Sequence, residues 1–133
     1  MVKKVITLNK RVFKLKKNLT RYMIINQTKK KIISQKELIC KTLASQIRGL
    51  MFRKKQNLVM IFKEEKPISL HNYFVFFPLE IVLIDKKNRV IEIKPKLLPF
   101  TFWSSINKAK ILLELAEENS KNLINVGDKI ILK

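Results

Sequence analysis

The sequence predicts an α+β domain, mainly antiparallel β with two or three short helices, and three observations carry that expectation. Runs rich in Val, Ile and aromatic residues recur at strand length. The alternation breaks at "TLASQIRGLMF" (42–52), where Leu43, Ile47 and Leu50 take helical spacing. Turn signals such as "DKKN" (85–88) and "NVGD" (125–128) separate the apolar runs. A chain of 133 residues with 47% hydrophobic content is one domain with a real core.

Two regions are expected, a basic N-terminal extension over 1–22 and a single β-rich domain over 23–133. In the extension, Val5, Leu8, Val12, Leu15 and Leu19 would line one stripe of a basic amphipathic helix. "VITL" and "RVFKL" within it would equally suit edge strands. "RYMIINQT" and "KKIISQKELICK" read as two strands around a bend at "TKK". Thr42 is a candidate N-cap for the next helix, and Gly49 falls where that helix would end. "NLVMIFK" (57–63) reads as a buried strand and "KEEKPIS" as a charged loop. "HNYFVFFPLEIVLID" (71–85) is the most hydrophobic stretch, with Pro78 marking a bulge or strand edge. Residues 80–85 and 89–94 predict a hairpin, with Val90, Glu92 and Lys94 on one face and Ile91 and Ile93 on the other. "AKILLEL" (109–115) fits helix or strand, "AEENSKNL" (116–123) a short helix, and "NVGDKIILK" a turn and a last strand.

Charge sets the partner classes. The formal net charge is +19, and residues 1–36 hold twelve Lys or Arg and no carboxylate. Such a balance attracts nucleic acid or anionic lipid. Lysines outnumber arginines 24 to 5, whereas base readers favour the bidentate arginine, so solvated lysines are the plainer reading. The single cysteine, Cys40, excludes an internal disulfide and a multi-cysteine zinc cluster. In "KELICKT" it reads as a small apolar core residue. "YFVFFPL" is the longest apolar run, too short for a transmembrane helix, and no secretory signal is expected. The expected location is cytoplasmic.

The order "CKTLASQIRGLMFRK", "HNYFVFFPLEIVLIDKKNRVIE", "FWSS", "KAKILLEL" and "NVGDKI" resembles domain-of-unknown-function family 192, small archaeal and bacterial proteins. The similarity runs from about Met23 to Leu132. It implies a compact, barrel-like β domain with short helices and tips "AKILLEL" towards a strand. It brings no established biochemical function. Several positions depart from the family pattern. Glu80 stands where Asp is common, Asn88 where a glycine often turns the chain, "AEENS" where Pro-Ala-Gly is frequent, and Trp103 where tyrosine is usual.

The candidate ligand-binding residues are the polar ones inside these blocks: Arg48, Arg53, His71, Asn72, Glu80 and Asp85. Arginine offers a forked donor set for carboxylate or phosphate, and His71 is the lone histidine. The same residues would equally brace the fold, Arg48 and Arg53 pairing with Glu80 or Asp85, and His71 and Asn72 capping a loop. Lys14, Lys16, Lys17, Lys29, Lys30 and Lys31 are the nucleic-acid candidates. No Gly-rich phosphate loop, GxSxG elbow or HExxH motif occurs. No metal or cofactor is expected. Tyr73, Phe74, Phe76, Phe77, Phe100, Phe102 and Trp103 are candidates for a base-stacking platform, but at strand spacing in the most apolar stretch the plainer expectation is core, with Phe100 and Trp103 alone as exposed contacts.

The leading expectation is a non-enzymatic binding module in which Arg48, His71 and Glu80 recognise a small polar ligand or a partner segment. The alternative is salt-sensitive, sequence-tolerant nucleic-acid binding through the lysine-rich first third. A third reading is an enzyme using His71.

Overall fold

The computed structural model describes residues 21–40, 57–116 and 123–133. Within them lie β1 (Arg21–Asn26), β2 (Lys31–Cys40), β3 (Leu58–His71), β4 (Leu79–Ile84), β5 (Val90–Leu97), β6 (Phe102–Leu115) and β7 (Ile130–Leu132). The strands hydrogen-bond in the order β5-β4-β6-β3-β2-β1-β7. Every neighbouring pair is antiparallel except β2 and β3, which run parallel over Leu38–Cys40 and Leu58–Met60.

No helix occurs among the described residues, so the α+β expectation is corrected to all-β. The segments expected to be helical, 42–52 and most of "AEENSKNL" at 117–122, lie outside the described residues, as does the extension up to residue 20. The barrel expectation is also corrected. The edge strands β5 and β7 meet only through one bridge, Arg89↔Lys129, so the sheet does not close. β5 still presents an edge, and Pro95 with Lys94 and Lys96 makes it a poor template for further pairing.

The central strands explain why the sequence read ambiguously. β6 lies between β3 and β4, and its inner half buries both faces. Leu58, Met60, Leu79, Ile81, Leu83 and Leu112 pack into one apolar cluster. Val59, Val82, Ile84, Leu113 and Leu115 point the other way into a second. A strand covered on both sides has no polar face, so "AKILLEL" is solidly apolar and still β. The hairpin of β4 and β5 forms as expected, with Ile84 opposite Val90 and Asn88 turning the chain at φ 67. Its strict alternation does not survive. The register shifts between Leu83 and Ile84, and Val90 and Ile93 share one cluster while Ile91 joins the other. That is a β-bulge, which resets which side chains face which core.

"KEEKPIS" is strand rather than loop, because β3 pairs with β6 nearly to its end. Between Ile61↔Ile111 and Lys66↔Ala109, residues 62–65 stand against Lys110 alone. Lys66 lies over the Phe62 ring at 4.3 Å and Lys110 Nζ donates to the Lys63 carbonyl, so the bulge has its own ties. Beyond it, β3 and β6 continue as a ribbon that ends at His71↔Phe102.

Candidate functional site

Two short connections leave the far end of that ribbon. One, residues 72–78, runs from β3 to β4; the other, 98–101, runs from β5 to β6. Asn72 makes them one unit. Its amide N–H donates to the Thr101 carbonyl at 2.8 Å, and its own carbonyl accepts from the Phe100 N–H at 2.8 Å. Its buried side-chain Nδ2 donates to the Leu97 carbonyl at 3.2 Å and to the Phe77 carbonyl at 3.5 Å. Apolar pins complete the anchoring, since Val75, Phe77, Leu79 and Leu97 all enter the first core cluster.

The residues between those pins face outward. Tyr73 and Phe74 are each 45% exposed, Phe76 62%, Leu98 50%, Phe100 52% and Phe102 64%. This reverses the expectation that the aromatics form the core. Phe77 is buried, Phe100 is exposed as expected, and Trp103 packs half-buried against the first cluster. At two of these positions the backbone itself is unusual. Phe74 has φ 58 and Phe100 φ 59, left-handed values that bulky residues rarely adopt. Each costs on the order of 1–2 kcal/mol. The two rings meet edge-on at 6.1 Å, and Phe76 meets Phe100 at 5.8 Å. His71 stacks on Tyr73 at 5.0 Å, and its Nδ1 accepts the Tyr73 N–H at 3.4 Å.

The residues singled out from the sequence are dispersed. Arg48, Arg53, Lys14, Lys16 and Lys17 lie outside the described residues. His71 sits beside the aromatic face, and Asn72 is the clamp beneath it. Glu80, half-buried, stands opposite Leu115 on β6 and follows Leu79, which pairs with Leu97. Asp85 shapes the hairpin turn, its Oδ1 accepting from the amides of Lys87 at 2.8 Å and Arg89 at 3.0 Å. Lys29 is held 3.6 Å from Asp128 and donates to Asn125 Oδ1, whereas Lys30 and Lys31 are exposed.

Two acidic groups escaped the sequence reading. Glu114 lies on β6 between Leu58 and Ile81, and burial pushes its pKa up to about 7. Its place in a strand buried on both faces is the signal; "LLEL" alone looks like an amphipathic edge. Asp128 behaves oppositely. Burial alone would raise it, but hydrogen bonds from Asn26 Nδ2 at 2.8 Å and the Asn125 amide at 2.9 Å, with Lys29 nearby, hold it below the ordinary carboxylate range. This cluster ties the β1–β2 turn to the approach to β7. Among the described residues no three His, Cys, Asp or Glu converge on a metal position, and no helix is long and apolar enough to cross a membrane.

An open, all-β sheet domain whose paired loops display an aromatic face is the class these features define. The family model of DUF192, described as "Uncharacterized ACR", matches residues 23–132, and the chain belongs to that family. A UPF0127 protein of Thermococcus sibiricus is 26% identical over 69% of this chain and 62% of its own length. Another, from Thermococcus kodakarensis, is 30% identical over 54% of this chain and 48% of its own. The matched segment therefore spans less than two thirds of either relative. The fold is shared with a candidate transcription regulator of Sinorhizobium meliloti 1021, at TM-score 0.74 and 18% identity over 85% of this chain and 92% of that one. A protein of unknown function from Novosphingobium aromaticivorans DSM 12444 superposes at TM-score 0.72 and 19% identity, covering 84% and 83%. At such identities the likeness concerns the fold alone.

Proposed function

We propose that this domain is a non-enzymatic binding module whose contact surface is the aromatic face of residues 71–77 and 98–102. One observation carries the reading: Phe74 and Phe100 hold unfavourable backbone conformations and yet expose their rings. A fold that keeps two such outliers side by side favours a role for them at the surface. Asn72 supports the same view, because a buried side chain that fixes both loops preorganises what they display. His71 contributes a polar edge to an otherwise apolar face, which suits an extended partner better than a small ion. A cluster of Arg48, His71 and Glu80 has less behind it, since the sheet sets Glu80 opposite Leu115 and His71 opposite Phe102. The enzyme reading has less behind it as well, since the described partners of His71 are the Tyr73 ring and amide rather than a carboxylate that would orient it.

The test is shift mapping by NMR on labelled full-length protein, titrated with a small-molecule fragment set and with oligouridylate. Shifts should gather at residues 71–77 and 98–102 and vanish in Phe76→Ser/Phe102→Ser. Shifts confined to the 27–31 turn, with this face silent, would refute the module and favour the lysine-rich reading.

A further inference from the structure

The charge around the aromatic face narrows what it binds. The face, residues 71–77 and 98–102, holds no Asp or Glu, and the chain on either side of it adds Lys66, Lys94, Lys96, Lys108 and Lys110 before the next carboxylates, Glu65, Glu80, Glu92 and Glu114, are reached. Lys66, Lys96 and Lys108 are exposed. Lys96 lies at the mouth of the 98–101 loop; the other two sit further back along the β3–β6 ribbon. Of these flanking carboxylates, Glu92 accepts the amides of Ile106 at 3.0 Å and Asn107 at 2.9 Å and Glu65 accepts the Lys86 amide at 2.9 Å, so both are occupied, and Glu114 is buried. An apolar tip whose own residues carry no carboxylate, with cations behind it, calls for an occupant that is greasy in front and negative around the rim.

We infer that this occupant is an anionic lipid surface, entered by Phe74, Phe76, Leu98, Phe100 and Phe102; the inference rests on the binding-module reading above. Aromatic and aliphatic tips settle at the boundary of headgroups and acyl chains, and lysines behind them reach the lipid phosphates. The composition of the tip favours lipid over single-stranded nucleic acid. Bases stack on aromatic faces, whereas the exposed Leu98 and the half-buried Pro99 add aliphatic surface that acyl chains cover and bases do not.

The test is co-sedimentation of the full chain with vesicles of phosphatidylcholine alone and of phosphatidylcholine mixed with phosphatidylglycerol. The wild type binds the mixed vesicles and keeps part of that binding at high salt, because apolar insertion is not screened. Phe76→Ser/Phe102→Ser, altered at two exposed positions, loses about a hundredfold, roughly tenfold per ring. The twelve cations of residues 1–36 are the same in both proteins, so equal binding by the variant overturns the inference. Should the variant fail to fold, the wild type decides alone. Trp103, the single tryptophan, adjoins Phe102, and its fluorescence must be quenched by acyl-brominated lipid in the mixed vesicles. Absence of quenching overturns insertion. Oligouridylate shifting residues 71–77 while vesicles fail to bind would remove the lipid and leave the binding module standing. Silence of the face to vesicles, oligouridylate and fragments removes both.

Discussion

Asn72 concentrates more of the candidate site than any other side chain. A buried amide on a loop is stable only when its donors are used, and Nδ2 reaches two carbonyls from different connections. Asn72→Ala leaves those carbonyls dry, and the expected loss is about 2 kcal/mol of unfolding free energy in a urea titration. A loss within a few tenths of a kcal/mol would mean that the apolar pins alone hold the loops. In the sequence, "HNYF" gave a polar pair before an aromatic run, and both residues were legible as site candidates. Their division of labour was not. Whether a polar residue faces a ligand or a neighbouring carbonyl depends on the 98–101 loop, which is remote in the chain. The outward aromatics were misjudged for a related reason: period and composition report hydrophobicity, whereas the positive φ of Phe74 and Phe100 is written in neither.

Among the elements, the β3–β6 ribbon carries the loops back onto the first core cluster, and its irregularities are pinned individually. Glu92, on β5, accepts the amides of Ile106 and Asn107 and the Asn107 side chain at 3.1 Å. Removing that carboxylate should loosen one side of the ribbon without unfolding the sheet. In Glu92→Ala, hydrogen exchange at Asn107 is expected to accelerate about tenfold, the equivalent of one charge-assisted hydrogen bond, with Leu112 and Leu113 unchanged. Uniform acceleration would instead show that Glu92 supports the whole sheet. Strand identity was readable wherever a run was bounded by turn signals, as in 80–94. It failed at "KEEKPIS", where charged residues line a solvent-facing ribbon. Charge marks exposure, and an exposed segment can still pair through its backbone.

For the molecule as a whole, Glu114 links stability to pH. Its pKa rises from the usual 4.5 to about 7 on folding, so the folded chain binds the proton more tightly. The stabilisation from this group is complete below the unfolded value and is lost as pH climbs through about 7. The wild type should therefore lose about 3 kcal/mol between roughly pH 5 and pH 8. Asp128, held below the ordinary range, titrates under that window. Thermal or urea melts across the series provide the check. The Glu114→Gln protein should show a nearly flat profile, and an equally steep one would place the titrating group elsewhere.

By itself the sequence determined family membership, the predominance of β-strands, the β4–β5 hairpin and the strong positive charge, because each is written in local patterns or in composition. The tertiary structure decided that the sheet stays open, that β6 is covered on both faces, and that Glu114 is buried while the aromatics are not. Those outcomes depend on which strands become neighbours. A bulge or a left-handed residue then redirects every side chain that follows, which a periodicity of two cannot register.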